Sequence, residues 1–497
     1  MLDFVCMIDL KNISVFWDAS GRSSESFSPD HSVDRKWWMP IVNLPENPLN
    51  TTASIWLVLI SLVTLSPGAI GEDVIRWSFE YQPGPVDNPL KGIVPYSNPT
   101  SGRFPHSMEF DYLPLSKIVV GKQMYDWSPL ETMLKSIASR GNQTVLRFLL
   151  EYPNRTNSIP QYLIDDGLMV RSWSNPVNGD PPTNDLTPDY EDSRLREMLT
   201  DFIAEFGARY DGDPRLGYVT AGLLGTWGEW HNYPKTEWFA SKTVQTEVMD
   251  AYAKAFKETP VLLRYPAGPN DANYADSSVY RFGYHDDSFA WATAPTSRDE
   301  DSWFFWSKIQ EAGLGEAWKR SPIGGEVRPE VWGCWASAEP CTPRGQEFET
   351  CRDTTHVTWL METGLFREQV SRQYMQRATR LIQGMGYDLY VSMVELSGDE
   401  LAVKVENRGI APFYHGGWYV RLRVEMNDST DEFETDWSPR GIQPGEHRTW
   451  KMRIAPGISD LKRITISLPN PMPGGKPLHF ANRSAGDDGS LVVIDQR

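Results

Sequence analysis

The run Gly225-Thr226-Trp227-Gly228-Glu229-Trp230-His231 places one carboxyl between two indoles and next to an imidazole. Aromatic walls exclude water and raise the proton affinity of a carboxyl, the setting of a general acid. A second acid, Glu326, closes the apolar run Ile323–Val327 (IGGEV). Hydrolysis of a glycosidic bond needs two such groups: one protonates the leaving oxygen, and the other attacks the anomeric carbon or activates water. Glu229 is therefore expected as acid/base and Glu326 as nucleophile, with retention of configuration. Trp227, Trp230 and Trp359 are expected to stack on sugar rings. Arg147, Arg264, Tyr265, His231 and His285 are expected to hold hydroxyls or tune a carboxylate. Glu151 and Asp286 are further expected contacts, although a Glu or Asp at a strand end more often caps a helix or pairs with an Arg. His231 and His285 with neighbouring carboxylates would also suit a metal, but no H-E-x-x-H or comparable spacing is present. Neither a metal nor a cofactor is expected.

These residues act together only if a fold brings them together. From Gly92 onward, β-rich apolar runs alternate with runs of helical period, the pattern of a parallel α/β fold. Eight strands are predicted: Gly92–Tyr96, Leu115–Val120, Thr144–Glu151, Leu216–Gly225, Val261–Tyr265, Tyr280–His285, Ile323–Val327 and His356–Met361. Between them, Leu130, Met133, Leu134 and Ile137, and then Leu195, Met198, Leu199, Phe202, Ile203 and Phe206, recur at helical spacing. Another such run, Phe366 to Gly384, follows the eighth strand. Eight strand–helix units predict a (β/α)₈ TIM barrel, whose functional residues lie at the C-terminal ends of the strands. An open doubly wound sheet is the alternative, but no G-x-G-x-x-G loop supports it. The segment from Asn175 to Asp192, acidic and Pro-rich, reads as a long loop. From Tyr387 the period changes to two, as in Leu401, Val403 and Val405, predicting an all-β sandwich. The expected organisation is 1–71 as a poorly structured N-terminal segment, 72–386 as the barrel and 387–497 as the sandwich.

The 497 residues carry 66 acidic against 48 basic side chains, a net charge of −18, which argues against nucleic acid as a partner. Ala53–Leu65 has the length of a signal-peptide core and precedes Ala69-Ile70-Gly71, so a secreted protein starting near Glu72 is expected. The unusually long upstream stretch fits a start at Met39. The alternative is a membrane anchor, if Ala53–Leu65 is retained. Sequons at Asn142, Asn154, Asn427 and Asn482 agree with export. One disulfide is expected among Cys334, Cys341 and Cys351, with the pairing open.

Asn88-Pro89-Leu90-Lys91-Gly92, the run from Phe104 to Phe110 (FPHSMEF) and Gly225 to His231 together resemble a secreted family of unassigned function, over roughly Asn88 to the C-terminus. The resemblance implies a barrel similar to glycoside hydrolases with an appended β-sandwich. It also implies acids on strands four and seven, placed as in the large clan of retaining glycosidases. Gly228 stands where that clan usually carries Asn. Three functions follow as expectations: a secreted glycoside hydrolase, a non-catalytic carbohydrate-binding or cell-surface protein on the same scaffold, and, third, a polysaccharide lyase with a His or Tyr base.

Overall fold

The computed structural model describes residues 74–97, 104–155, 158–176, 181–339, 341–367, 370–454 and 460–496. The signal-like segment, Met39, the Ala69–Gly71 site and Cys6 lie outside them. Residues from Asp73 onward form one compact unit.

The barrel strands are β1 (Gly92–Val94), β2 (Met108–Pro114), β3 (Gln143–Leu149), β4 (Leu216–Thr220), β5 (Val261–Leu263), β6 (Gly283–Phe289), β7 (Ile323–Val327) and β8 (Trp359–Met361). They form one parallel sheet in the order β1-β8-β7-β6-β5-β4-β3-β2. The sheet closes beyond β1, where Tyr96 bridges Phe110, with Ser97 N donating to Phe110 O and Phe110 N to Pro95 O. The predicted eight-stranded barrel is present, but two strands sit elsewhere than expected. The second is Met108–Pro114, whereas the expected Leu115–Val120 forms a short 3₁₀ turn and an edge hairpin. The sixth runs Gly283–Phe289 rather than Tyr280–His285, so Asp286 and Asp287 lie within it instead of just beyond its end.

The helices follow the predicted apolar stripes. In Ser128–Ala138, Leu130, Leu134 and Ile137 are buried. In Ser193–Tyr210, capped by Asp192, the buried face is Leu195, Met198, Leu199, Phe202, Ile203 and Phe206. The last helix, Arg372–Gln383, begins six residues later than the predicted run, at the Ser371 cap, whose hydroxyl accepts from Tyr374 N. Part of the stretch read as a loop before the Ser193 helix, Thr183–Pro188, is instead a strand paired with Val170–Asn175 in a β-hairpin.

The sandwich contains β9 (Leu389–Ser397), β10 (Glu400–Asn407), β11 (Arg421–Met426), β12 (Thr430–Glu434), β13 (His447–Arg453), β14 (Leu461–Ser467) and β15 (Leu491–Asp495). One antiparallel sheet runs β12-β11-β14-β15; the other runs β9-β10-β13 and gains Val74–Ser78 on the far side of β9. The expected boundary at 386 is thus crossed, because the chain contributes a strand to the sandwich before entering the barrel. Barrel-interior Leu90, Met108, Tyr218 and Trp359 share a core with sandwich residues Tyr387, Phe413 and Trp418. Buried His415 bonds Gly217 O through Nε2 at 2.7 Å, so the sandwich plugs the lower end of the barrel. The opposite end is left for chemistry.

Candidate active site

The loop after β4 is built around residues that few other side chains can replace. Gly225 has φ +77°, and a Cβ there would lie 2.4 Å from His231 O. Gly228 has φ +69°, and its Cβ would meet Gly222 Cα at 3.0 Å and Phe148 O at 3.2 Å. That contact explains the departure at this position: an Asn side chain has no room between the β3 end and Gly222. Leu223, Trp227 and Trp230 also have positive φ, at 72°, 54° and 59°. Non-glycine residues in this region cost on the order of 1–3 kcal/mol each, and such strain concentrates at functional sites. The loop is held by Thr226 N→His231 O, Trp230 N→Leu224 O and Trp227 N→Glu151 O.

Glu151 belongs to this scaffold. Its carboxyl is buried and accepts from Tyr190 Oη (2.5 Å), Thr187 Oγ1 (2.7 Å) and Asn232 Nδ2 (2.8 Å). Burial pushes it up to about 7 against those three donors. Tyr190 also accepts Gly225 N at 2.7 Å, so Glu151 clamps both ends of the strained loop and is no substrate contact.

Glu229 emerges from this loop half-buried. Arg147 Nη1 lies 3.2 Å from its Oε1, and His231 Nε2 lies 3.7 Å from its Oε2. Arg147 is fully buried, with Nε on Thr220 Oγ1 (2.9 Å) and its guanidinium over the Tyr112 and Phe110 rings. Its Nη2 faces the His285 ring. His285 is held well below its usual range, first by burial and then by Arg147, so it is a neutral prop for that guanidinium.

Alternation along β6 decides what its acids do, since neighbouring side chains point to opposite faces. Asp286 points out of the barrel, accepts from Thr293 Oγ1 (2.6 Å) and Ser288 N (2.9 Å), and is pushed up to about 7 by burial. It is structural, contrary to expectation. Asp287, which sequence reasoning passed over, reaches the mouth: one oxygen lies within 4.8 Å of a Glu229 oxygen and a His231 nitrogen. Arg264 Nη2, from just beyond β5, lies 2.5 Å from Asp287 Oδ1. Burial alone would raise Asp287, but Arg264 outweighs it and holds the carboxyl well below the usual range. Arg264 also stands over Tyr265, whose ring stacks on Tyr274 at 3.7 Å.

Glu326 comes from β7 as expected and is 8% exposed. Among the described residues no hydrogen bond or ion pair holds its carboxyl. Burial first, and then the charge of Glu229, push it well above the usual range. The site thus contains an Arg-paired Asp287, Glu229 near a guanidinium and a carboxylate, and a Glu326 whose proton affinity is raised by burial and by Glu229.

Not all the expected aromatics face the mouth. Trp359 is fully buried, stacked on Tyr218 inside the barrel, and its ring occupies the space a Cβ at Gly324 would need. Trp230 is 2% exposed, with Nε1 on Ala221 O. Both are core residues; Trp227, half-buried, remains available. Tyr112 and Arg328 were missed. Arg328 lies near enough to Glu229 and Asp287 to feel their charge, and pairs bidentately with Glu330.

Among the described residues, Glu229, His231 and Asp287 bring ligand-type atoms together at the mouth. Arg147 and Arg264 already neutralise the two carboxylates. His231 Nδ1 accepts Tyr233 N, which leaves the ring proton on Nε2, the nitrogen facing Glu229. A metal-ligating nitrogen must be unprotonated, so the set suits a proton better than a cation.

No family model matches this chain. No curated protein does either. Among solved structures, the catalytic domain of β-amylase from Paenibacillus polymyxa is similar at 8% identity and a TM-score of 0.35, over 56% of this chain and 91% of that one. A glucosidase from Croceicoccus marinus is similar at 8% identity and a TM-score of 0.29, over 78% of this chain and 97% of that one. Likenesses this slight carry no functional weight, and the chemistry of the mouth has to stand alone.

Two further expectations meet the structure outside the site. Cys334 and Cys341 are bonded, and Cys351 is a buried free thiol. Asn142 and Asn482 are buried, with side-chain amides donating to Glu109 and to Val391 O, so neither is free to carry a glycan; Asn154 and Asn427 are exposed.

Proposed function

We propose that this protein is a secreted hydrolase of glycosidic bonds, with Glu229 as the group that protonates the leaving oxygen and later deprotonates water. The observation that carries the reading is the convergence of three carboxyls, Glu229, Asp287 and Glu326, with Arg147, Arg264 and His231 at the C-terminal mouth of the barrel. One Glu229 oxygen faces the Arg147 guanidinium and the other the His231 ring, with the Asp287 carboxylate close by, an arrangement suited to a group that gives and takes back a proton. Glu326, expected from the sequence as the nucleophile, instead suits a neutral acid that donates a hydrogen bond to a sugar hydroxyl. Trp227 and Tyr265 supply aromatic surface for a sugar ring. Retention of configuration remains part of the proposal, as does export by cleavage near Glu72.

The test is a panel of nitrophenyl glycosides and natural polysaccharides offered to the secreted protein. Glu229→Gln should keep the fold and sugar binding while losing roughly 10²–10⁴-fold in turnover of substrates with poor leaving groups. Sugar binding with no turnover by the wild type would favour the carbohydrate-binding reading instead.

A further inference from the structure

Glu229 needs an ionised partner, and the two other carboxyls at the mouth are not equivalent. Asp287 lies on the inner face of β6 with Arg264 Nη2 2.5 Å from Oδ1, and its side chain is 10% exposed. Glu326 has no cation bound to it, as described above. Asp287 also stands at a workable distance from Glu229. Carboxyls of retaining glycosidases stand about 5–5.5 Å apart, whereas inverting enzymes need roughly 6.5–9.5 Å to admit a water. Glu229 and Asp287 oxygens within 4.8 Å fall on the retaining side.

We propose that Asp287, and not Glu326, is the catalytic nucleophile of the reaction proposed above, with Glu229 as its acid/base partner; the inference rests on that hydrolase reading. An Asp287 oxygen attacks the anomeric carbon, the glycosidic C–O bond breaks, and Glu229 gives its proton to the departing oxygen. The sugar is then esterified to Asp287. Glu229, now a carboxylate, takes a proton from water. The resulting hydroxide oxygen attacks the same carbon, and the ester bond breaks to return the Asp287 carboxylate. Arg264 is a positioning residue: it fixes the Asp287 rotamer and keeps its charge in a water-poor setting.

The test begins with the best nitrophenyl glycoside of the panel, whose product configuration is read by proton NMR. The wild-type protein is then incubated with the matching 2,4-dinitrophenyl 2-deoxy-2-fluoroglycoside, digested with pepsin and mapped by mass spectrometry. Retention and one sugar ester on the peptide containing Asp287 are expected. An ester on Glu326 or Glu229, or inversion, overturns the proposal. Asp287→Gly should lose on the order of a thousandfold in turnover. Sodium azide should restore it, giving a glycosyl azide of inverted configuration. Near-UV circular dichroism checks the variant's fold, and the labelling of wild type stands if that variant does not fold. Hydrolysis with undiminished turnover in Asp287→Gly sinks this assignment alone. A wild-type protein that cleaves nothing on the panel sinks the hydrolase reading and the nucleophile together.

Discussion

Replacing Arg264 by Gln tests whether the charge of Asp287 is an arranged feature of the fold. The two side chains are 16% and 10% exposed and 2.5 Å apart, so solvent screens them little. At an effective dielectric of 20 their attraction is about 7 kcal/mol. Desolvating the two ions offsets several kcal/mol of that, and removing one member of such a buried pair typically costs about 3–5 kcal/mol. Arg264→Gln should therefore destabilise the protein by roughly that amount in urea unfolding at pH 8. The sign with pH follows from the two carboxyl states. In the wild type the depressed Asp287 contributes stability above the unfolded carboxyl range and loses it only as pH falls through its lower folded value. In the variant, burial without the cation raises Asp287, so the penalty is greatest at high pH and shrinks as the carboxyl takes up a proton on acidification. Asp287→Asn in the Arg264→Gln background should recover most of the loss, because no buried charge is then unpaired. A deficit below about 1 kcal/mol at pH 8, or one independent of pH, would refute the reasoning.

Glu151, pushed up to about 7 in the fold, should make the protein lose stability as pH rises from the unfolded carboxyl range to about 7. Denaturant midpoints across that window should show a smaller slope in Glu151→Gln. Gly228→Asn should destabilise the Glu229 loop by more than about 1 kcal/mol, read as a lowered Tm, because left-handed backbone and the contact with Gly222 act together. Non-reducing peptide mapping should find Cys334 joined to Cys341, and the Cys351 thiol should react with a thiol reagent only on unfolding.

Much of this molecule is legible in one dimension. Helical stripes such as Leu195 to Phe206, the alternation of Leu401, Val403 and Val405, and the apolar β runs carry their periods openly, because burying one face forces the repeat. The barrel and the sandwich follow from them. The errors arose where local pattern and pairing diverge. Met108–Pro114 contains Glu109 and Asp111 and does not read as a buried strand, yet it pairs along its length with β3. Leu115–Val120 looks more strand-like and is not in the barrel. Val74–Ser78 joins the sandwich through partners over three hundred residues away, which no local signal records.

At the site, the sequence supplied the residue types and the structure decided their states. Alternation along β6 turns Asp286 outward to Thr293 and Asp287 inward to Arg264, so strand pairing decides which of two adjacent acids reaches the barrel mouth. Glu151 and Glu326 are both strand-end glutamates in sequence; one is locked by three donors beneath a strained loop, and the other lies without a bonded partner among the described residues, its proton affinity raised by burial and by Glu229. Whether a carboxyl is charged depends on burial and on guanidiniums delivered by other strands, and those distances exist only after the barrel closes.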